Sequence, residues 1–243
     1  MGTSQGSEKL SFLASASRAP GPQFDRLDPE QQKAVDSDDA PLRILAGPGS
    51  GKPRVLTNRI ARRAVDGSVD ARRVLALTFT RRAASQLRSR LNRMGIRDLG
   101  AVGTFHAVAL AQIRQHRSDR GKRPPVVLTG RRPVIKELIG DFPNLRLNAA
   151  VTEIDWACSQ ALTPDEYRNG PGRRRVGEAQ AGRMALLHQS YVSYKRRRGL
   201  LDFDDILVEC TQLLGTDHAF RDAQHWVFRH FFVDEYQDLN QTQ

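Results

Sequence analysis

Two short stretches carry residue types and spacings that could do chemistry together. The first, ILAGPGSGKPRVL over residues 44–56, runs from apolar residues into glycines and then a lysine. Ala46, Gly47, Pro48, Gly49, Ser50, Gly51, Lys52, Pro53 and Arg54 form a candidate nucleotide-phosphate loop. Glycines let the backbone fold tightly around a pyrophosphate, loop N–H groups and the next helix's N-terminus donate to phosphate oxygens, and Lys52 reaches the β and γ phosphates. The strict pattern begins with Gly and ends in Lys followed by Ser or Thr, whereas this chain has Ala46 and Pro53 there. Proline brings neither a hydroxyl for Mg²⁺ nor an N–H for phosphate. The first turn of a helix accommodates it, so the loop should fold around an incomplete metal site. The second stretch, FFVDEYQD, places Asp234 and Glu235 at the end of an apolar run. There Asp234 would hold Mg²⁺ while Glu235 orients or deprotonates the attacking water. Each stretch alone also reads as a plain β-α turn or an exposed strand end; together they predict a site for ATP and Mg²⁺.

Elements of particular kinds must position these groups. LRILA, residues 42–46, reads as a strand leading into the loop, and PRVLTNRIARRAV after it has helical periodicity. RVLALTFT, residues 73–80, is a second strand; RRAASQLRSRLNRM follows with Ala84, Leu87, Leu91 and Met94 on one helical face. GAVGTF is a third short strand before a helix from about Ala107, and the apolar FFV before Asp234 is a buried strand. Alternating strands and helices imply a parallel sheet with helices on its faces. Upstream, Asp28, Pro29 and Gln31 are the N-cap, first position and capping-box partner of another helix. From about residue 112 to 200, Pro/Arg-rich loops separate helical pieces such as RPVIKELI, VTEIDWACSQAL and AQAGRMALLHQSYVSYKRR, and LDFDDILVECTQLL reads as a helix beyond them.

Composition narrows the partner. The chain has 243 residues, a net charge of +11 and an isoelectric point near 10.4, which favours an anionic partner. Residues 101–200 hold 18 Lys/Arg against 8 Asp/Glu, clustered at Lys122-Arg123, Arg131-Arg132, Arg173–Arg175 and Lys195–Arg198. No Trp/Phe-rich amphipathic face accompanies them, so nucleic acid is expected rather than a membrane surface. No apolar run approaches the roughly 20 residues of a membrane span. Residues 1–23 lack a signal-peptide pattern, and Gly6 stands where a myristoylation signal wants Ser or Thr. A disordered lead-in and a cytoplasmic, nucleoid-associated protein are expected. The two cysteines, Cys158 and Cys210, read as buried thiols, and the six histidines show no zinc spacing.

The ordered set of motifs resembles the N-terminal part of UvrD/Rep/PcrA-type superfamily 1 DNA helicases, from about Phe24 onward. LDPEQQKAV resembles the family's Q motif, AGPGSGKPRVL its motif I except at Pro53, ALTFTRRAA its motif Ia, GTFHA the next, and LDFDD and DEYQD complete the set. The resemblance implies that Gln31 contacts adenine and that Gln237 couples nucleotide to movement. It also implies that Thr78, Phe79, Thr80, Arg81, Thr104, Phe105 and His106 contact single-stranded DNA. Arg81 stands where the family commonly has asparagine, which leaves the charge complementarity intact. The implied fold is a P-loop NTPase (RecA-like) sheet over residues 24–111 and 201–243, interrupted by a helical basic insertion at 112–200. The implied activity is ATP-dependent unwinding with 3′ to 5′ polarity. The family's later motifs and second motor domain, with its arginine fingers, are expected beyond residue 243. Such a finger is worth on the order of 10³ to 10⁵ in rate, so this chain alone is expected to bind ATP and single-stranded DNA weakly and not to unwind. The alternatives are a non-catalytic DNA-binding module or truncated helicase remnant, and a P-loop protein of another kind, against which the motif order argues.

Overall fold

The computed structural model describes residues 24–47 and 49–239; the expected lead-in over residues 1–23 lies outside them. Helix α1 (Pro29–Asp36) starts where expected: the Asp28 carboxylate accepts from Gln31 N, and the Gln31 side chain accepts from Asp28 N, closing the capping box. Helix α2 (Lys52–Val65) begins directly after the glycine loop. Strand β1 (Val74–Thr78), helix α3 (Arg81–Arg93), strand β2 (Ala101–Thr104) and helix α4 (Phe105–Asp119) then alternate. Thr80 and Thr104 end their strands and cap the following helices, accepting from Ala83 N and Ala107 N. The Thr104 cap starts α4 two residues before the expected Ala107.

Strand β3 (Val126–Val127) leads into a helical region: α5 (Arg132–Leu138), α6 (Leu147–Ser159), α7 (Pro164–Asn169), α8 (Pro171–Val176) and the long α9 (Glu178–Arg198). The short α7 and α8 have no counterpart in the expected elements. Gly199, at φ 63°, ends α9 in the left-handed conformation that glycine adopts without steric cost. Strand β4 (Leu200–Leu201) pairs with β3, and the chain returns through α10 (Phe203–Thr216), α11 (His218–Val227) and β5 (His230–Val233). The fold is α/β, mostly helical, around a small parallel sheet of order β2-β1-β5. Leu75 lies opposite Ala101 on one side and Phe231 on the other.

Three apolar clusters hold these elements. Ile60, Val74, Ala76, Leu91 and Val102 join α2 and α3 to the sheet. Phe105, Ile113, Ile206 and Cys210 seal α4 against α10. Ile135, Ile154, Tyr167, Met184 and Tyr191 form the core of α5–α9. Cys210 is buried and Cys158 half-buried. Among the described residues no group of His, Cys, Asp and Glu could hold a metal by itself, and no helix is long and apolar enough to cross a membrane.

One expected element is absent. Residues 42–46 are irregular and largely exposed, Leu45 by 78%. An isolated strand leaves its backbone hydrogen bonds unmade, and this segment and β5 line a common cleft of about 680 Å³. The apolar run therefore forms no strand here, because it has no neighbour to pair with.

Candidate functional site

The loop before α2 is shaped by two glycines in the left-handed region, Gly49 (φ 75°) and Gly51 (φ 80°). Ser50 folds back so that its Oγ donates to Gly47 O at 2.7 Å. Gly51 caps α2, its carbonyl accepting from Arg54 N and Val55 N at 2.8 and 3.2 Å. Pro53 is the second residue of the helix, where an N–H would have no intrahelical acceptor, so the helix loses no bond to it. The nearest hydroxyl on α2 does not replace the missing one: Thr57 is buried and donates to Pro53 O at 2.9 Å. Lys52 Nζ donates to Ala46 O at 3.1 Å across the mouth of the loop. The Gln31 amide donates to Ser50 O at 2.8 Å, so α1 clamps the loop, and the exposed Arg54 guanidinium ties back to Arg26 O at 3.3 Å. Pro48 lies outside the described residues.

The carboxylates line the same cleft as Lys52. Asp234 continues β5, its N–H donating to Leu77 O at 2.9 Å. Glu235 then turns into the left-handed region at φ 54°, which costs a non-glycine residue about 1–2 kcal/mol. Its N–H donates to Asp234 Oδ1 at 3.1 Å, and Gln237 Nε2 donates to Glu235 Oε2 at 2.6 Å. Burial, and then the neighbouring Glu235 charge, push the Asp234 carboxyl above its ordinary pKa, with Lys52 acting in the opposite direction. Lys52, Asp234, Glu235 and Gln237 all line the same cleft. The structure therefore brings together residues nearly two hundred positions apart in sequence.

The third group gathers at the ends of β1 and β2. Thr78 and Phe105 are buried, each where a strand or helix enters the core. Phe79 is half-buried with its ring 5.5 Å from Phe105, and Thr80 and Arg81 are exposed. His106, half-buried, stacks face to face on Phe203 with ring centroids 3.6 Å apart and planes at 15°. Burial holds the His106 imidazole below its ordinary pKa, against the pull of Asp204. Phe203 is 59% exposed and was not among the expected site residues. The available signal was a lone aromatic among the aspartates of LDFDD, which reads equally as one apolar position of an amphipathic helix.

Residues 27–243 match the UvrD/REP helicase N-terminal domain. The chain belongs to that family. It is 35% identical to the ATP-dependent DNA helicase UvrD2 of Mycobacterium tuberculosis (strain ATCC 25618 / H37Rv), over 89% of this chain and 33% of that protein. It is 32% identical to the ATP-dependent DNA helicase Rep of Escherichia coli (strain K12), over 90% and 33% of the two chains. With the ATP-dependent DNA helicase PcrA of Leuconostoc citreum it shares 32% identity over 88% and 29%. The chain thus spans about a third of the length of these relatives.

The side chains of this UvrD/REP-family chain test the fit of a metal–nucleotide pair. Ser50 Oγ and Thr57 Oγ1 are both engaged with backbone carbonyls, and Pro53 has no oxygen on its side chain. What remains for a cation is the half-buried Asp234 and its neighbour Glu235. Mg²⁺ is commonly held by one or two carboxylates together with substrate phosphates and several waters. The donor set fits that arrangement with one protein oxygen fewer than a Ser or Thr after Lys52 would give.

Proposed function

We propose that this chain is the nucleotide- and single-stranded-DNA-binding portion of an ATP-dependent DNA helicase that moves 3′ to 5′ inside the cell. In this reading the sheet with α2 and α3 is a RecA-like P-loop unit built from residues 24–111 and 201–243, and 112–200 is a basic insertion. The observation that carries it is the shared cleft: Lys52 on α2 and Asp234, Glu235 and Gln237 after β5 converge on it from two ends of the chain. Backbone N–H groups of the loop and Lys52 take the phosphates, Gln31 reads the adenine edge, and Asp234 holds Mg²⁺. The metal, when bound, neutralises charge on the transferring phosphoryl group. Glu235 orients the attacking water, and Gln237, already bonded to it, reports the state of that carboxylate. On the DNA side, Phe79 and the His106–Phe203 pair are the stacking surfaces and Arg81 the phosphate contact. Thr80 and Thr104 cap the helices that carry Arg81 and His106. Unwinding is assigned to a motor of the relatives' full length, and this chain by itself is assigned the binding steps.

Pro53 favours a second reading, in which the same surface is a DNA-binding module whose ATP site has decayed. Titration of a fluorescent ATP analogue with and without Mg²⁺ separates the two, using the chain as it is, Pro53→Thr and Lys52→Ala. A hydrogen bond to a charged group contributes about 1.5–3 kcal/mol. Pro53→Thr is therefore expected to tighten Mg²⁺-dependent binding at least tenfold, while Lys52→Ala abolishes it. Absence of binding in both the parent and Pro53→Thr would leave only the DNA-binding module.

A further inference from the structure

A buried ionic cluster joins the helical region to the DNA-facing end of α10. Asp202 is 2% exposed, yet both of its carboxylate oxygens are fully engaged. Oδ2 accepts from Lys195 Nζ at 2.7 Å, Tyr191 OH at 2.8 Å and Arg131 Nε at 3.1 Å. Oδ1 accepts from Asp205 N at 3.0 Å and lies 3.0 Å from Arg131 Nη2. Lys195 also reaches Asp205 at 2.5 Å, and Arg131 reaches Asp155 at 3.0 Å and Asp204 at 2.5 Å. One carboxylate is thus the N-cap of α10 and the anchor for both α9 and the segment before α5. Burial alone would push its pKa up, but the Arg131 hydrogen bonds and the Lys195 charge outweigh that and hold it well below the carboxylate range.

The residue after this anchor is Phe203. Being mostly exposed, its ring is not locked by core packing; its place over His106 follows from where the cap fixes the backbone. We infer that Asp202, gripped by Lys195 and Arg131, is a positioning residue through which the helical region sets the His106–Phe203 ring pair for single-stranded DNA. This rests on the DNA reading of that pair proposed above. A buried ion cluster adds little net stability over an apolar one of the same volume, because desolvation offsets the attraction. What it adds is direction: several charge-assisted hydrogen bonds fix both the position and the angle of one carboxylate.

The test separates position from stability. His106 imidazole protons lie against the face of the Phe203 ring and are shielded by it, so their NMR shifts report the stack. Their positions are assigned with His106→Gln, and the unstacked value is set by Phe203→Ala. In the full chain, Lys195→Met is expected to move these resonances toward the unstacked value. It should also weaken binding of a fluorescein-labelled oligo-dT roughly tenfold, the scale of one base–aromatic contact, and Lys195→Arg should restore both. Arg175→Met, which breaks the Glu153 pair in the same helical region, should leave resonances and affinity unchanged. Should Lys195→Met fail to fold, Tyr191→Phe removes a single bond to Asp202 and is expected to give a partial shift. A lowered melting temperature with the His106 resonances still at their parent positions would overturn the inference. If Phe203→Ala itself leaves DNA affinity intact, the DNA reading fails instead, and the resonances alone decide the positioning claim.

Discussion

A carboxylate placed beside another carboxylate and half out of water is held in an unfavourable state until something positive arrives. Asp234 is in that position, with burial and the Glu235 charge raising its pKa, and the hydrogen bond from Glu235 N–H and then Lys52 opposing them without cancelling them. The sign follows: above the raised pKa the folded state carries a charge that the unfolded chain accommodates better in water, and the penalty is relieved as the pH falls through that pKa. Asp234→Asn removes the penalty, so at neutral pH it is expected to raise the melting temperature by about 1–3 °C, within the scale for a domain of this size. The same change should abolish the Mg²⁺ dependence of nucleotide binding, and acidification of the parent should weaken that dependence at a pH above the ordinary aspartate range. Differential scanning fluorimetry and the analogue titration read the two effects. A melting temperature that drops in Asp234→Asn would show that the carboxylate is held by contacts the cleft geometry does not contain. Pro53 is the complementary case, a residue whose backbone suits its place and whose chemistry does not.

At the scale of elements, the glycine loop depends on a contact between α1 and the start of α2. A Cβ on Gly51 would sit 3.0 Å from Gln31 Nε2, and its φ of 80° disfavours any L side chain. Gly51→Ala is expected to cost about 1–2 kcal/mol of stability from the backbone, and to push Gln31 off Ser50. Nucleotide discrimination checks the second effect: preference for the adenine over the guanine analogue should shrink in Gly51→Ala more than overall affinity does. In the helical region, His188 is buried, its Nδ1 has no partner among the described residues, and burial pulls its pKa down to about 4. Its folded pKa is therefore depressed. Stability it leaves intact above the unfolded value near 6.5 is lost as the pH falls toward 4, by up to roughly 3 kcal/mol. His188→Met is expected to flatten urea-denaturation stability across that range; an unchanged acid slope would count against it. Helices α1, α3 and α10 were legible in the sequence because their signals are local: Asp28 with Gln31, and the apolar faces of α3 and α10, need no knowledge of the rest of the chain, whereas α7, α8 and α11 were not among the expected elements. The strand expected at 42–46 was not secure for the opposite reason, since a strand exists only with a neighbour. The cleft constellation was readable as two motifs, but the Phe203 stack and the Asp202 anchor depend on contacts that cross from one helix to another.

For the molecule as a whole, the structure sorts a surplus of positive charge that the sequence shows only as clusters. Arg131 and Lys195 are consumed by the Asp202 anchor, Arg173 by Glu178, Arg175 by Glu153 and Arg198 by Glu137. Lys122, Arg123, Arg196 and Arg197 are exposed and form no ion pair among the described residues. Val126 N donates to Gly199 O at 3.3 Å, which brings the loop carrying Lys122 and Arg123 beside the end of α9 carrying Arg196 and Arg197. Three residues past Gly199 stands Asp202, and after it Phe203, so the chain leads from the free cations to the proposed stacking pair within a few residues. Each phosphate contact on a single strand steepens the salt dependence of binding by about 0.7 in log–log slope. Replacing all four with glutamine is expected to lower the slope of oligo-dT affinity against KCl by up to about 3, and to weaken binding most at low salt. Replacing Arg173 and Arg175 should leave the slope close to that of the parent, because their charge is already neutralised by partners. Anisotropy titrations across a KCl series read both variants, and equal slopes in the two would mean that ion pairing in the folded chain does not decide which cations meet DNA.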